Sequence, residues 1–173
     1  MVPQGRRKRV ARMAQLLIVY HSRTGGSRRM AEAAAEAARG EISTVLKRAE
    51  EAGPEDLLAA DGYIFCAPEN LAALSGQMKE FFDRCYYPVL GQIAGRPYAQ
   101  MVCAGSDGKN AARQCARIAT GWRLKEVQTP LILCTHAQTP EAILAEKVIP
   151  EDQLETCREL GLALGAGLAM GVF

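Results

Sequence analysis

Apolar and polar positions along this chain fall into a regular succession of strand-like and helix-like stretches. "LLIVY" (16–20) is a short apolar run without alternation, the pattern of a strand buried on both faces. Ser27 to Arg39 is alanine-rich and predicts a helix, with Gly40 placed to cap its end. "EISTVLKR" (41–48) alternates as a second strand. Pro54, at a first helical position, predicts a turn or two of helix within 53–60. "GYIFCAP" (62–68) reads as a third strand ended by its proline. In "SGQMKEFFDRCYY" (75–87), Ser75 is a capping residue, and Met78, Phe81, Phe82 and Cys85 share one helical face. Lys79 with Asp83 and Glu80 with Arg84 form i,i+4 pairs on the other face. "PYAQMVCA" (97–104) is a fourth strand, Asn110 to Thr120 a helix stopped by Gly121, and 124–135 holds a fifth strand. A last helix runs from Glu151, after Pro150, to about Met170.

Five strands separated by helices imply one α/β domain over 13–173, a parallel sheet with helices on both faces. Ligands bind such a sheet beyond the carboxyl ends of its strands, where neighbouring connections diverge. The loops after strands one, three and four are therefore the candidate site.

Composition changes this picture little: 49% apolar and 23% charged residues suit an ordinary globular chain. With only 6% aromatics, the core is expected to be mostly aliphatic and alanine. Charge is more informative. Residues 1–12 carry Arg6, Arg7, Lys8, Arg9 and Arg12 and no acid, so the net charge of +2 becomes −3 over 13–173 (16 basic against 19 acidic residues). The arm reads either as a nucleic-acid or acidic-surface contact or, the preferred reading, as a disordered tail or residues upstream of a natural start at Met13. The apolar run after it is too short for an export signal, and the glycine-rich C-terminal run is too short to span a bilayer, which points to a cytoplasmic protein with no membrane role. The six cysteines are widely spaced without a C-x-x-C and are expected to be buried, reduced thiols with no metal.

The first loop, Ser22-Arg23-Thr24-Gly25-Gly26-Ser27, carries the clearest chemistry. It is neither a Walker loop nor a G-x-G-x-x-G fingerprint. It offers hydroxyls on Ser22, Thr24 and Ser27, two glycines and a helix start, the ingredients of a phosphate cradle. Arg23, Arg28 and Arg29 oppose the positive end of a helix dipole unless an anion sits among them. A solvated polar turn that caps the helix is the alternative.

"YHSRTGGS" resembles the phosphate loop of flavodoxin-like proteins, and "APENLAALSGQMKEFFDR" resembles the flavin-contacting loop and following helix of NAD(P)H-dependent FMN reductases and related quinone reductases. "AGSDGKNAARQ" (104–114) stands where that family places the loop around the flavin's pyrimidine edge. The resemblance implies a flavodoxin-like three-layer sandwich with strand order 2-1-3-4-5, binding FMN without covalent attachment and using NAD(P)H as co-substrate. It assigns the phosphate to Ser22, Arg23, Thr24, Gly25, Gly26 and Ser27. It assigns the ribityl chain and ring to Pro68, Glu69, Asn70 and Leu71, and the pyrimidine to Gly105, Ser106, Asp107 and Gly108. It also implies a homodimer or homotetramer, with Tyr86, Tyr87 and Trp122 either at a subunit contact or packed in the core or its rim. Unlike many flavodoxins, the second and third loops carry no aromatic residue to stack on the ring, which favours two-electron reduction of a quinone, free flavin or similar small acceptor. No catalytic dyad is expected, since such transfer needs positioning more than a general base. The alternatives are an electron carrier for a protein partner and a nucleic-acid-associated regulator with a vestigial flavin site.

Overall fold

The structure, a computed structural model, describes residues 12–173. The arm of residues 1–11 lies outside the described residues, and with it both readings of that arm. Arg12 pairs with Asp61 at 3.1 Å and donates to the Ala59 carbonyl oxygen.

The elements in chain order are β1 (Gln15–Tyr20), α1 (Gly26–Ala38), β2 (Ser43–Arg48), α2 (Pro54–Ala59), β3 (Gly62–Asn70), β4 (Ala73–Leu74), α3 (Gly76–Val89), β5 (Pro97–Ala104), α4 (Lys109–Gly121), β6 (Lys125–Glu126), β7 (Leu131–Cys134), α5 (Pro140–Leu144) and α6 (Glu151–Met170). The sheet runs β2-β1-β3-β5, with β6 and β7 both parallel to β5 at the far edge. This is the flavodoxin-like order 2-1-3-4-5, with its fifth strand in two pieces. Pro130, just before β7, has no N–H to give to a ladder, and the chain leaves the sheet between the pieces. β3 continues two residues past Pro68, because there it exchanges its parallel neighbour for its own continuation. Glu69 opposes Leu74 and Asn70 opposes Ala73 in an antiparallel hairpin. Leu71 and Ala72 form its turn with φ of 50° and 60°, a conformation that usually selects asparagine or glycine.

Strand alternation divides the core into two layers. Leu16, Ile18, Ile64 and Cys66 face α1 and α6, while Leu17, Val19, Tyr63 and Phe65 face α2, α3 and α4. The expected aliphatic and alanine core holds for the first layer alone. In the second, Phe65 has Phe81, Phe82, Tyr98 and Trp122 at ring-centroid distances of 5.1–6.4 Å. Trp122 belongs to this core: it is 1% exposed, donates its indole N–H to the Tyr86 carbonyl at 3.1 Å and stacks on the Tyr86 ring. The two layers differ because α1 and α6 approach too closely to admit rings. A Cβ on Gly161 would collide with the Ala34 carbonyl, and one on Gly165 would stand 3.3 Å from Ala38. This close crossing seats α1, and the loop at its N-terminus, against the sheet.

Two expected caps are not made. Gly40 is not left-handed, and α1 ends through Arg39 in ordinary helical geometry. Ser75 precedes α3 without capping it, because its hydroxyl pairs with the buried His21 ring at Nδ1 (2.9 Å). That bond, with His21 N–H to the Cys66 carbonyl (3.0 Å), pins the residue entering the first loop to both β3 and α3. The i,i+4 pairs of α3 are present, Lys79–Asp83 at 2.6 Å and Arg84–Glu80 at 2.9 Å.

The α1–α6 crossing predicts unequal responses to one methyl group at two glycines. Gly161→Ala gains about 1 kcal/mol of helix propensity but must displace backbone, so it should lower Tm by roughly 3–6 °C. Gly165→Ala should leave Tm within about 3 °C of wild type, and calorimetry compares the two. His21 supplies a second test. Burial, reinforced by Arg48 and Arg23 and opposed by Glu50, holds its imidazole below the ordinary range. The unfolded chain therefore binds the proton more readily, and stability rises with pH. This contribution is present above about pH 6.5 and lost as pH falls below it. Urea unfolding of His21→Gln between about pH 7.5 and 5.5 should show a shallower loss than wild type.

Candidate functional site

The loop Ser22–Ser27 leaves the carboxyl end of β1, which lies between β2 and β3 where the connections diverge. Its turn closes when the Gly25 N–H donates to the Ser22 hydroxyl oxygen at 3.0 Å. Gly25 has φ 93°, a left-handed conformation natural to glycine, and turns the chain into α1. The first helical bond runs from Arg29 N–H to the Gly25 carbonyl at 3.0 Å. The N–H groups of Gly26, Ser27 and Arg28 thus belong to the first turn, which has no helical acceptor for them. No acidic residue lies in that turn and no side chain caps it. Ser27 is 2% exposed, and its hydroxyl oxygen has no partner among the described residues. Gly26 leaves no room for a side chain: a Cβ there would meet Cys103 Sγ at 2.5 Å and Lys147 Cβ at 3.4 Å. Unpaired amides, an orphaned buried hydroxyl and a bare glycine backbone form a cradle with the donors that an oxyanion needs.

The loop opens into a cleft of about 550 Å³, including its open mouth. Of the residues expected at the site, Ser22, Arg23, Thr24, Gly26, Ser27, Pro68, Glu69, Asn70 and Gly105 line it together. Gly25 faces a neighbouring cleft. Leu71 stands fully exposed at the hairpin tip, Ser106 and Asp107 are exposed, and Gly108 is packed inward, where a Cβ would meet Ile132 Cγ2 at 2.6 Å. None of these four lines the cleft. No aromatic side chain lines it either; its walls are backbone, small polar side chains and the longer Arg23, Glu69, Ile143, Leu144 and Lys147.

A fourth segment, which the sequence pattern does not announce as part of the site, completes it. After β7 the chain continues through Thr135 and Ala137 into α5 and returns past Lys147, covering the loop of residues 22–27. Lys147 N–H donates to the Thr24 carbonyl at 2.8 Å, and Glu146 lies 3.4 Å from the Arg29 guanidinium. The Lys147 ammonium is occupied by the Ala142, Ile143 and Ala145 carbonyls at 2.6–2.8 Å, which neutralises the end of α5. The signal for this segment is Thr139-Pro140-Glu141: Thr139 accepts from Ala142 N–H at 3.2 Å, with Pro140 in the first helical position. His136 is exposed and outside the cleft.

The titratable side chains of the cleft are Arg23, Glu69, Cys103 and Lys147. Burial pushes the Cys103 thiol up to about 11, so it stays protonated at neutral pH and is a poor nucleophile. The other buried thiols behave alike, Cys115 reaching about 12 and Cys85 about 11. No helix among the described residues is long and apolar enough to cross a membrane.

Comparison with known proteins agrees with this geometry. The family profile described as NADPH-dependent FMN reductase matches residues 47–138. A flavodoxin of Aquifex aeolicus is 32% identical over 167 residues, covering 92% of this chain and 90% of that protein. An NAD(P)H dehydrogenase (quinone) of Acidithiobacillus ferrooxidans is 35% identical over 94 residues, 42% of this chain and 47% of that protein. The crystal structure of a WrbA-like flavodoxin from Agrobacterium tumefaciens superposes with a TM-score of 0.68 at 22% identity, over 91% of this chain and 98% of that one, a likeness of fold. With the profile spanning more than half of the sequence and the flavodoxin likeness running along nearly all of it, this chain belongs to the NADPH-dependent FMN reductase family of flavodoxin-like proteins.

Proposed function

We propose that the protein is an FMN-dependent NAD(P)H oxidoreductase that passes two electrons to a quinone, free flavin or similar small acceptor. The observation that carries this reading is the cradle at α1: three first-turn amides and the orphaned Ser27 hydroxyl, opening into a cleft without aromatic walls. FMN, when bound, supplies reversible two-electron chemistry. The chain's own residues bind, orient and leave access. Ser22, Thr24 and Ser27 would donate from their hydroxyls to the phosphate, and the Gly26 and Ser27 amides would add their dipoles. Backbone of Pro68–Asn70 and of Ala104–Gly105 lines the cleft that would hold the ring, and neither wall offers an aromatic side chain that would cover it. That opening suits a nicotinamide and then an acceptor at the same face. Cys103 stays a neutral thiol and takes no proton from the ring's neighbourhood. The reading includes a cytoplasmic setting and a homodimer or homotetramer.

A second reading has one observation in its favour. The likeness to a flavodoxin along most of the chain suits a carrier that exchanges electrons with a protein partner. Anaerobic mixing of the FMN-loaded protein with NADPH or NADH and a soluble quinone separates the two. Nucleotide oxidation matched one to one by quinone reduction is expected; absence of turnover with either nucleotide would favour the carrier.

The cradle makes its own prediction. Ser27→Ala removes a buried hydroxyl that lacks a partner, so the flavin-free protein should become slightly more stable. The same change should weaken FMN binding by about tenfold or more, as loss of a hydrogen bond to a charged group implies. Gly26→Val should abolish flavin retention while the circular dichroism spectrum stays native. Unchanged flavin affinity in both variants would remove the phosphate from this loop.

A further inference from the structure

The helices on either side of β4 treat their surface charges differently. On α3 each cation has an acid one turn away, Lys79 with Asp83 and Arg84 with Glu80. α4, with the sequence KNAARQCARIATG, contains three cations and no acid. Lys109, Arg113 and Arg117 recur at every fourth residue, so they form one stripe with neighbours about 6 Å apart. All three are exposed, and none makes an ion pair among the described residues. Arg113 has a neutral partner, donating to the Asn110 amide oxygen at 2.6 Å. Lys109 stands in the first turn, where the helix dipole disfavours a cation. Like charges one turn apart also repel, so the stripe opposes the helix that carries it.

α4 also clamps the β3–β4 hairpin. Asn110 Nδ2 donates to the Ala72 carbonyl at 2.6 Å, and Leu74 N–H donates to Gln114 Oε1 at 2.8 Å. Beside this clamp lies a groove of about 690 Å³, open to solvent, where the apolar Ala73 and Leu74 are flanked by the cationic Lys79 and Arg117. No carboxylate lines it. At the hairpin tip Leu71 is fully exposed, lies outside the cofactor cleft and holds φ 50°. A turn selected for its bend alone would carry glycine or asparagine there. Leucine instead holds an apolar side chain in water at a position the clamp fixes. Unpaired cations beside an apolar groove and an apolar tip complement a protein surface of carboxylates with apolar residues among them. A nucleic-acid backbone would gain from the cations but not from Leu71. We propose that α4 and the β3–β4 hairpin dock an acidic protein partner through Lys109, Arg113, Arg117 and Leu71. The partner would stand on the hairpin whose Glu69 and Asn70 line the cofactor cleft. The inference concerns binding alone, so it stands or falls apart from the oxidoreductase reading.

Fluorescence anisotropy at low ionic strength should compare labelled poly-L-glutamate, a glutamate–tyrosine copolymer and duplex DNA, each titrated with the FMN-loaded full chain. The copolymer is expected to bind more tightly than poly-L-glutamate. Lys109→Gln, Arg113→Gln and Arg117→Gln combined should weaken the copolymer about tenfold or more. A control of equal charge loss, Arg39→Gln, Arg123→Gln and Lys125→Gln combined, should weaken it less than about threefold. The basic arm of residues 1–12 is present in every variant, so its attraction is common to all. Leu71→Asn, which suits a left-handed turn, should keep Tm at or above wild type, weaken the copolymer about threefold and leave poly-L-glutamate unchanged. Equal losses in the two triple variants would mean a general attraction to cations and would overturn the assignment. So would failure of both acidic polymers to bind, or a Leu71→Asn protein that binds the copolymer like wild type. Duplex DNA losing more affinity than the copolymer in the α4 variant would overturn it too, and would make this a nucleic-acid face.

Discussion

The first turn of α1 is the constraint on which the rest of the molecule turns. A helix start ordinarily finds a capping side chain and an acid for its amides. Here it has neither, and it carries Arg28 and Arg29 and a buried serine without a partner. Such an end is unfavourable in isolation, since an unpaired buried polar group costs about 1–3 kcal/mol. An oxyanion seated there would reverse each term at once, giving the amides, the hydroxyl and the dipole a partner.

Holding that helix end in place falls to packing far from it. Gly161 and Gly165 let α6 lie almost backbone to backbone on α1, so the helix cannot slide to relieve its own start. Below the loop, Cys103 Sγ touches the position a Gly26 side chain would need, and the Lys147 backbone closes over Thr24. The His21–Ser75 hydrogen bond anchors the residue that enters the loop. The aromatic layer around Phe65 keeps the opposite face of the sheet rigid without approaching the cleft.

The strands were legible because continuous apolar runs such as 16–20 have few other solutions, and α6 was bounded by Pro150 and its acidic first turn. The loop at the start of α1 was legible as a candidate site because its hydroxyls and glycines are adjacent in sequence. What escaped was whatever depends on partners distant in the chain. Ser75 has the chemistry of a cap, but folding brings His21 to it instead. Sparse aromatics suggest an aliphatic core, but tertiary packing gathers them on one face. The left-handed Leu71 and Ala72 carry no glycine or asparagine to announce the turn. The strap through α5 is short and weakly periodic, and its contribution to the cleft comes from Ile143, Leu144 and Lys147 lying over a loop more than a hundred residues earlier.

The broken fifth strand has a bearing on how copies of this chain can meet. Open sheets invite further strands at their margins, the usual route to aggregation and swapped dimers. Here one margin is interrupted at Pro130 and begins with the exposed, oppositely charged Lys125 and Glu126. The other margin is β2, six residues that end in Lys47 and Arg48. Neither border is a long, flat, apolar template, so growth of the sheet from one molecule into the next is disfavoured at both sides, and self-association is left to the helical surfaces.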